Sequence, residues 1–323
     1  MRAVVCEEYG PPEGLVVRDV PLRAAKAGQV QVKVAAAAVN FPDVLICANQ
    51  YQVSIPTPFT PGSEFAGVIT EVGDGVIGWT VGDRVFGSTM TGGFAEYVTV
   101  PAEALRAVPE GVALEAAAGF WVAHATAYHA LRSVAEVQPG DKVVVLGAAG
   151  GVGLAAVELA VALGAEVIAA ASSAEKLTLC RERGAAHLID YSTTDLRDGI
   201  RAAAPDGADV IIDPVGGPLA ERALRATKWG GRFVTVGFAS GEIPRIPLNL
   251  VLLKGPIIKG FEIRTFAQYA PEAAARDERE LLALLAAGKV VPYISAQYPL
   301  DQAAAALRFV ADRKATGKVL ITA

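Results

Sequence analysis

Lys142-Val143-Val144-Val145-Leu146-Gly147-Ala148-Ala149-Gly150-Gly151-Val152-Gly153 is the stretch that decides how this chain is read. Lys142 to Leu146 is a short β-branched run of the kind that forms a buried strand. The glycines then make a turn, and Val152 to Leu163 carries small apolar residues in a pattern a helix accepts. A strand that enters a glycine turn and then a helix gathers free backbone N–H groups and the positive helix end at one point. That arrangement suits a pyrophosphate. The Gly-x-Gly-x-x-Gly fingerprint is incomplete, because Ala148 stands at its first glycine position. A lone match of this kind is weak and needs support from the rest of the chain.

Downstream, strands and helices alternate. Glu166 to Ala171 reads as a second strand, Ala174 to Arg183 as a helix, and His187 to Asp190 as a brief third strand. Asp209 to Asp213 is a fourth strand, followed by Pro214-Val215-Gly216-Gly217. Leu219 to Lys228 reads as helix, Gly231 to Gly237 as a fifth strand and Ile257 to Phe261 as a sixth. Repeated strand–helix units imply a parallel sheet wound on both faces, hence an α/β fold. Upstream the mode differs. Val30 to Val34, Gly67 to Gly73, Gly82 to Phe86 and Phe94 to Val100 alternate or run apolar at close spacing, as in a small β-barrel. Pro56, Pro58 and Pro61 hold one loop extended. Glu115 to His129 is alanine-rich and helix-like. From about residue 264 the pattern changes again: Glu278 to Ala287 is a helix, Asp301 is placed to cap another that runs to about Asp312, and Lys318 to Ile321 is a last strand. One domain is therefore expected to be interrupted by another.

Composition sets the bounds. The 323 residues suffice for two domains, and 52% are hydrophobic with 20% charged, as in a folded protein. The formal net charge of -5 argues against nucleic acid or an anionic membrane as a partner. Cys6, Cys47 and Cys180 are far apart and match no disulfide or zinc spacing. Glu7 and Glu8 interrupt the N-terminus at once, so no signal peptide is expected. The uncharged stretch Val143 to Val157 is shorter than the roughly 20 residues of a membrane-spanning helix. A cytoplasmic location follows as the expectation.

An ordered set of segments is similar to the medium-chain dehydrogenase/reductase superfamily, and within it resembles the zinc-free quinone oxidoreductases of the zeta-crystallin type. The segments are Val39-Asn40-Phe41-Pro42-Asp43, Pro61 to Gly67, Val81 to Val85, Gly92 to Tyr97, Thr126 to Leu131, Ala148 to Gly153, Asp213 to Gly217 and Thr316-Gly317-Lys318. The resemblance implies a GroES-like β-barrel domain, residues 1–117 and 264–323, split around a doubly wound Rossmann domain, residues 118–263, with the active site in the cleft between them. It also makes Ala148 an expected variant of the turn. It implies a homodimer through the sixth-strand edge, and the apolar run Ile246 to Leu253 before that edge fits such a surface, although it also fits an internal loop.

The second strand ends Ala171-Ser172-Ser173, without the Asp or Glu that accepts from the ribose hydroxyls of NAD. A hydroxyl there can donate to a 2′-phosphate, Lys176 can supply a cation, and Tyr191 resembles the family tyrosine that flanks the phosphate. NADP(H) is the cofactor expected. Ser172 with Glu175 also forms a Ser-x-x-Glu capping box, and Lys176 also fits a solvated surface position. The expected cofactor-binding set is Asn40, Thr126, Ala149, Gly150, Gly151, Val152, Gly153, Ser172, Lys176, Tyr191, Val215, Gly216, Gly237, Phe238, Ala239 and Phe261. Glycine can also simply end a strand, and Phe261 can pack a core.

No metal is expected. Where the zinc alcohol dehydrogenases of the superfamily carry Gly-His-Glu, this chain has Gly62-Ser63-Glu64, and its three histidines are dispersed. Without a metal the acceptor must take hydride at low barrier, as a quinone or activated enone does by delocalising charge onto oxygen. The resemblance implies Asn40, near the nicotinamide ribose, and Tyr51, against the acceptor, as the catalytic-site residues. The competing reading makes them a turn asparagine and a loop tyrosine, and Asp43 an ordering residue of the same loop. Leu45 stands where some relatives have tyrosine. Trp121 and His124 depart from the family pattern and either reshape the cleft or pack a buried helix. The leading expectation is NADPH-dependent, zinc-independent reduction of quinones; the alternatives are reduction of the C=C bond of enones or enoyl thioesters, and a non-catalytic NADPH-binding protein.

Overall fold

Strand Lys142–Leu146 lies in the middle of a six-stranded, all-parallel sheet in the computed structural model, which describes residues 1–323. The strands run in the order His187–Asp190, Glu166–Ala171, Lys142–Leu146, Ala208–Asp213, Thr227–Thr235, Ile257–Gly260. The chain moves outward to one side over the first three strands and then crosses to the other side. The strand order therefore reverses between Lys142–Leu146 and Ala208–Asp213, the point where open sheets of this kind bind ligands at their carboxyl ends. Helices Gly151–Ala162, Ala174–Glu182, Leu196–Ala203 and Gly217–Leu224 connect the strands. Leu146, Ile168, Ile211, Phe233, Leu196 and Ile200 form a buried core with them, each side chain contributing about 1.5–3 kcal/mol.

The chain divides into two compact units, Met1–Val122 with Val291–Ala323, and Ala123–Val290. The first is built on strand Gln29–Val39, which is longer than its alternating part, Val30 to Val34. It has three partners. Its first half pairs with Tyr97–Pro101, its second half with Lys318–Thr322, and nearly its whole length with Glu64–Val72, all antiparallel. Arg84–Ser88, Leu105–Ala107 and Ile294–Pro299 complete a seven-stranded sheet around Phe65, Phe94, Val32, Ile69, Leu307 and Ile321. No helix of the chain is long and apolar enough to cross a membrane.

Several boundaries differ from the sequence reading. Residues 264–290, expected to return to the β-rich domain, belong to the unit that holds the parallel sheet. Helix Pro271–Ala286 is tied there by two polar pairs: in a buried one His129 Nδ1 meets Asp277 Oδ2 at 3.0 Å, and in a partly exposed one the Tyr128 hydroxyl donates to Glu280 Oε2 at 2.8 Å. Lys228, read as helical, lies in a strand that begins at Thr227, where Ala208 pairs with it across a register shift. The helix-like run from Glu115 to His129 is broken at Gly119–Phe120 into helices Leu114–Ala118 and Trp121–His129. Asp301 caps nothing. It lies in a single 3-10 turn ahead of helix Ala303–Ala311, and its carboxylate is held by Arg2.

Candidate functional site

The glycine turn joins strand Lys142–Leu146 to helix Gly151–Ala162 with the geometry of an anion cradle. Gly147 adopts φ +57°, a conformation that disfavours any side chain. Ala148 has no positive φ, and its N–H donates to Ala170 O at 3.0 Å, fastening the turn to the neighbouring strand. Alanine is accommodated at the missing glycine position because the backbone reversal falls one residue earlier, at Gly147. Gly153 has no room for a side chain: a Cβ there would lie 2.2 Å from Gly147 O. Gly150 is the N-cap residue, and no side chain caps the helix. The first-turn N–H groups, those of Gly151, Val152 and Gly153, have no intrahelical carbonyl to reach. Ala149, in the turn itself, is buried.

At the next strand end the cap falls on Ser173, not Ser172. Ser173 Oγ accepts from Lys176 N at 3.3 Å, so the capping role weighed for Ser172 belongs to its neighbour. Ser172 is exposed, and Lys176 Nζ donates to its hydroxyl at 3.3 Å. Tyr191 joins them through its N–H, which donates to Ala171 O at 3.1 Å. The carboxylate nearest in register, Asp190, is turned to Ser192, accepting from its N–H at 2.9 Å and its hydroxyl at 2.5 Å. A hydroxyl, an ammonium and a tyrosine therefore share this strand end.

Val215, Gly216, Phe238 and Ala239 meet at the carboxyl ends of strands Ala208–Asp213 and Thr227–Thr235. Ala239 N–H donates to Pro214 O at 3.1 Å, and Ser240 N–H donates to Val215 O at 2.9 Å. Gly237 reaches the same place, its N–H 3.4 Å from Asp213 O. A Cβ on Gly147 would stand 2.7 Å from Val215 Cγ2, so the glycine turn closes against this pair of loops. Phe261 is drawn to the sheet end only by its backbone, whose N–H donates to Thr235 O at 3.0 Å. Its ring packs against His129 and Phe266, centroids 6.2 and 5.6 Å away, which is the core reading. Thr126 is half-buried on helix Trp121–His129.

In the other unit, Asn40 precedes helix Phe41–Cys47 and is 7% exposed. Lys318 Nζ donates to Asn40 Oδ1 at 2.6 Å and to Glu64 Oε2 at 3.0 Å, and Asn40 Nδ2 donates to the same Glu64 oxygen at 3.1 Å. Glu64 Oε1 accepts from Val122 N at 2.8 Å, at the start of helix Trp121–His129. Asp43 Oδ2 accepts from Asn40 N at 2.7 Å, the loop-ordering role expected of it. Burial pushes the Asp43 carboxyl up to about 7, against the lowering effect of the Asn40 N–H and the Lys318 charge. Asn40 thus has both ends of its amide engaged inside the protein. Tyr51 sits half-buried in the loop between Cys47 and Glu64. Trp121 is packed, with the Arg106 guanidinium 3.5 Å from its ring centroid; His124 belongs to the unit of the parallel sheet and is buried there, its Nε2 3.5 Å from Glu158.

Sequence reasoning does not single out Lys318, Glu64 or Asp213. The available signals are a lysine opening an otherwise apolar strand, Lys318-Val319-Leu320-Ile321, and a carboxylate ending another, Val210-Ile211-Ile212-Asp213. No three His, Cys, Asp or Glu side chains come together in a set able to hold a metal ion.

Comparison with known proteins places this geometry in a lineage. Residues 26–110 match the alcohol dehydrogenase GroES-like domain, and residues 151–285 match the zinc-binding dehydrogenase domain. The chain is 39% identical to quinone oxidoreductase-like protein 2 homolog of Nematostella vectensis over 325 residues, 99% of this chain and 88% of that protein. Among solved structures, Escherichia coli quinone oxidoreductase complexed with NADPH superposes with a TM-score of 0.93 at 26% identity, covering 100% of both chains. The quinone oxidoreductase of Thermus thermophilus, also solved as its complex with NADPH, gives 0.87 at 34% identity with the same coverage. The chain belongs to the medium-chain dehydrogenase/reductase superfamily of oxidoreductases, among its quinone oxidoreductase-like members.

Proposed function

We propose that the protein binds NADP(H) at the carboxyl end of its parallel sheet and reduces quinones with it, without a metal. The observation that carries this reading is the strand end at Ser172. Ser172, Lys176 and Tyr191 gather there, with the neighbouring Asp190 carboxylate engaged by Ser192, one strand away from an uncapped helix start. A 2′-phosphate fits a hydroxyl and an ammonium and is repelled by a carboxylate. The tight approach of Gly153 to Gly147 fits the turn that a pyrophosphate requires.

When bound, NADPH supplies the hydride from its nicotinamide ring. The chain's own residues bind and orient. The N–H groups of Gly151, Val152 and Gly153 hold the pyrophosphate, and Ser172, Lys176 and Tyr191 hold the 2′-phosphate. Val215, Gly216, Gly237, Phe238 and Ala239 form a wall that orients the nicotinamide and excludes water. Asn40, held by Lys318 and Glu64, is the residue for the nicotinamide ribose, and Tyr51 the residue for the acceptor. A quinone needs no dedicated acid from the protein, since its oxygens take protons from solvent.

The test is steady-state NADPH consumption with a 1,4-quinone, an enone and a crotonyl-type thioester. Quinone turnover at least tenfold faster in kcat/KM than the other two is expected, that is about 1.4 kcal/mol of transition-state preference. A preference for the enone or thioester would replace this reading with C=C reduction, and no turnover despite NADPH binding would make the protein a non-catalytic binder.

A second copy of the chain is the proposed partner at the outer sheet edge. Ile257–Gly260 is the last strand of the sheet, with Ile257 and Ile258 exposed. Leu248, Leu252 and Leu253 on the preceding helix and Trp229 are exposed as well. An apolar unpaired edge of this kind is a template for pairing. Sedimentation at micromolar concentration is expected to return twice the chain mass; the mass of one chain would refute the dimer.

A further inference from the structure

Strand Ala208–Asp213 is buried at every position and ends on a carboxylate that is itself fully buried. Such a group is disfavoured in apolar surroundings unless hydrogen bonds compensate it. Asp213 Oδ1 accepts two, from Val215 N and Gly216 N, both at 2.8 Å. Its main-chain oxygen accepts two more, from Val236 N at 2.8 Å and Gly237 N at 3.4 Å. One residue therefore holds the first turn of both loops that leave the sheet end. Those loops then bind each other through Pro214 O, Val215 O and the Gly217 N–H, which donates to Glu242 O at 3.0 Å.

A simple turn cap does not need this residue type. Serine or asparagine accepts the same N–H bonds at lower desolvation cost. Asp213 Oδ2 has no hydrogen-bond partner, and burial raises the carboxyl above its ordinary range, opposed by the Gly216 and Val215 N–H groups. What the carboxylate adds is a stronger grip on two adjacent N–H groups, because hydrogen bonds to a charged acceptor are roughly twice as strong as neutral ones. That grip holds Gly216 at φ +69°, where a Cβ would stand 2.8 Å from the Phe238 ring. It also holds Val215 against Gly147.

We infer that Asp213 is the positioning residue for the nicotinamide half of the cofactor, acting through Val215, Gly216 and Gly237, which it holds as one rigid wall. The inference rests on the NADP(H) reading above. Asp213 touches neither cofactor nor acceptor in this role; it fixes the main chain that does.

The experiment compares two probes on wild type and Asp213→Asn: NADPH, and 2′,5′-ADP, which lacks the nicotinamide half. The amide keeps an acceptor for Val215 and Gly216 but loses the charge. Titration is expected to show 2′,5′-ADP binding within about twofold of wild type while NADPH weakens at least tenfold, consistent with the steep cost of small misplacements in a positioned site. Equal weakening of both probes, or no change in either, would overturn the inference. Should Asp213→Asn not fold, Gly216→Ala disturbs the same wall without touching the carboxylate, and the same split is expected; wild-type NADPH affinity in that variant would refute the wall. A wild type that binds neither probe sinks the NADP(H) reading itself. A wild type that binds 2′,5′-ADP as tightly as NADPH leaves that reading standing and removes the role given to Asp213.

Discussion

Lys318→Met is expected to cost about 3–5 kcal/mol of stability, the range for removing one partner of a buried ion pair. The ammonium is almost fully buried and lies 3.0 Å from a Glu64 carboxylate that is itself fully buried. Without the lysine, Glu64 keeps only the N–H groups of Asn40 and Val122. Asn40 loses the 2.6 Å bond that sets which way its amide faces. Glu64→Gln combined with Lys318→Met is expected to recover at least half of the loss, because a neutral pair leaves no uncompensated charge. Denaturant unfolding of the two variants measures both effects. A single variant within about 1 kcal/mol of wild type, or a double variant no better than the single, would refute the ion-pair argument.

Ser172→Asp is expected to weaken NADPH at least about 100-fold and to leave NADH unchanged or improved. Like charges brought together in a binding site cost several kcal/mol, and each 1.4 kcal/mol is tenfold. The new carboxylate would also engage the Lys176 ammonium, which Ser172 now accepts from at 3.3 Å. The helix start does not suffer, since Ser173 and not Ser172 caps it. Calorimetric titration with both cofactors separates the outcomes: equal weakening of NADPH and NADH would mean that the substitution damages the strand end rather than its charge selectivity.

The parallel half of the fold is legible in the sequence because its central strands are short apolar runs, each separated from the next by a single helix. Val143 to Leu146, Val167 to Ala171 and Ala208 to Ile212 are buried without exception, so no alternation is needed to find them. Strand Gln29–Val39 is less legible. Its alternation stops at Val34, yet two partner strands, Glu64–Val72 and Lys318–Thr322, extend it through Val39 across an alanine run that carries no strand signal. Helix Pro271–Ala286 falls on the other side of the domain boundary from its sequence reading because a helix pattern says nothing of what it packs on; Asp277 and Glu280 decide that through His129 and Tyr128.

The candidate site divides along the same line. The glycine turn and the non-acidic strand end are backbone and residue-type signals, and both can be read in order along the chain. The network of Lys318, Glu64 and Asn40 joins residues 278 and 254 positions apart in sequence, so no local pattern contains it. Asp213 ends its own strand, but its main-chain oxygen also binds a loop more than twenty residues away, at Val236 and Gly237, which no local pattern shows. Of the neighbours Ser172 and Ser173 only the second caps the helix, and only the cap geometry tells them apart.

The NADP(H) site at the carboxyl end of the parallel sheet is tested most directly by titrating the wild-type protein with NADPH and with NADH. Hydrogen bonds to a charged group contribute about 1.5–3 kcal/mol, so NADPH is expected to bind roughly 10- to 100-fold more tightly. Equal affinity for the two cofactors, or a preference for NADH, would contradict the assignment of Ser172, Lys176 and Tyr191 to a 2′-phosphate.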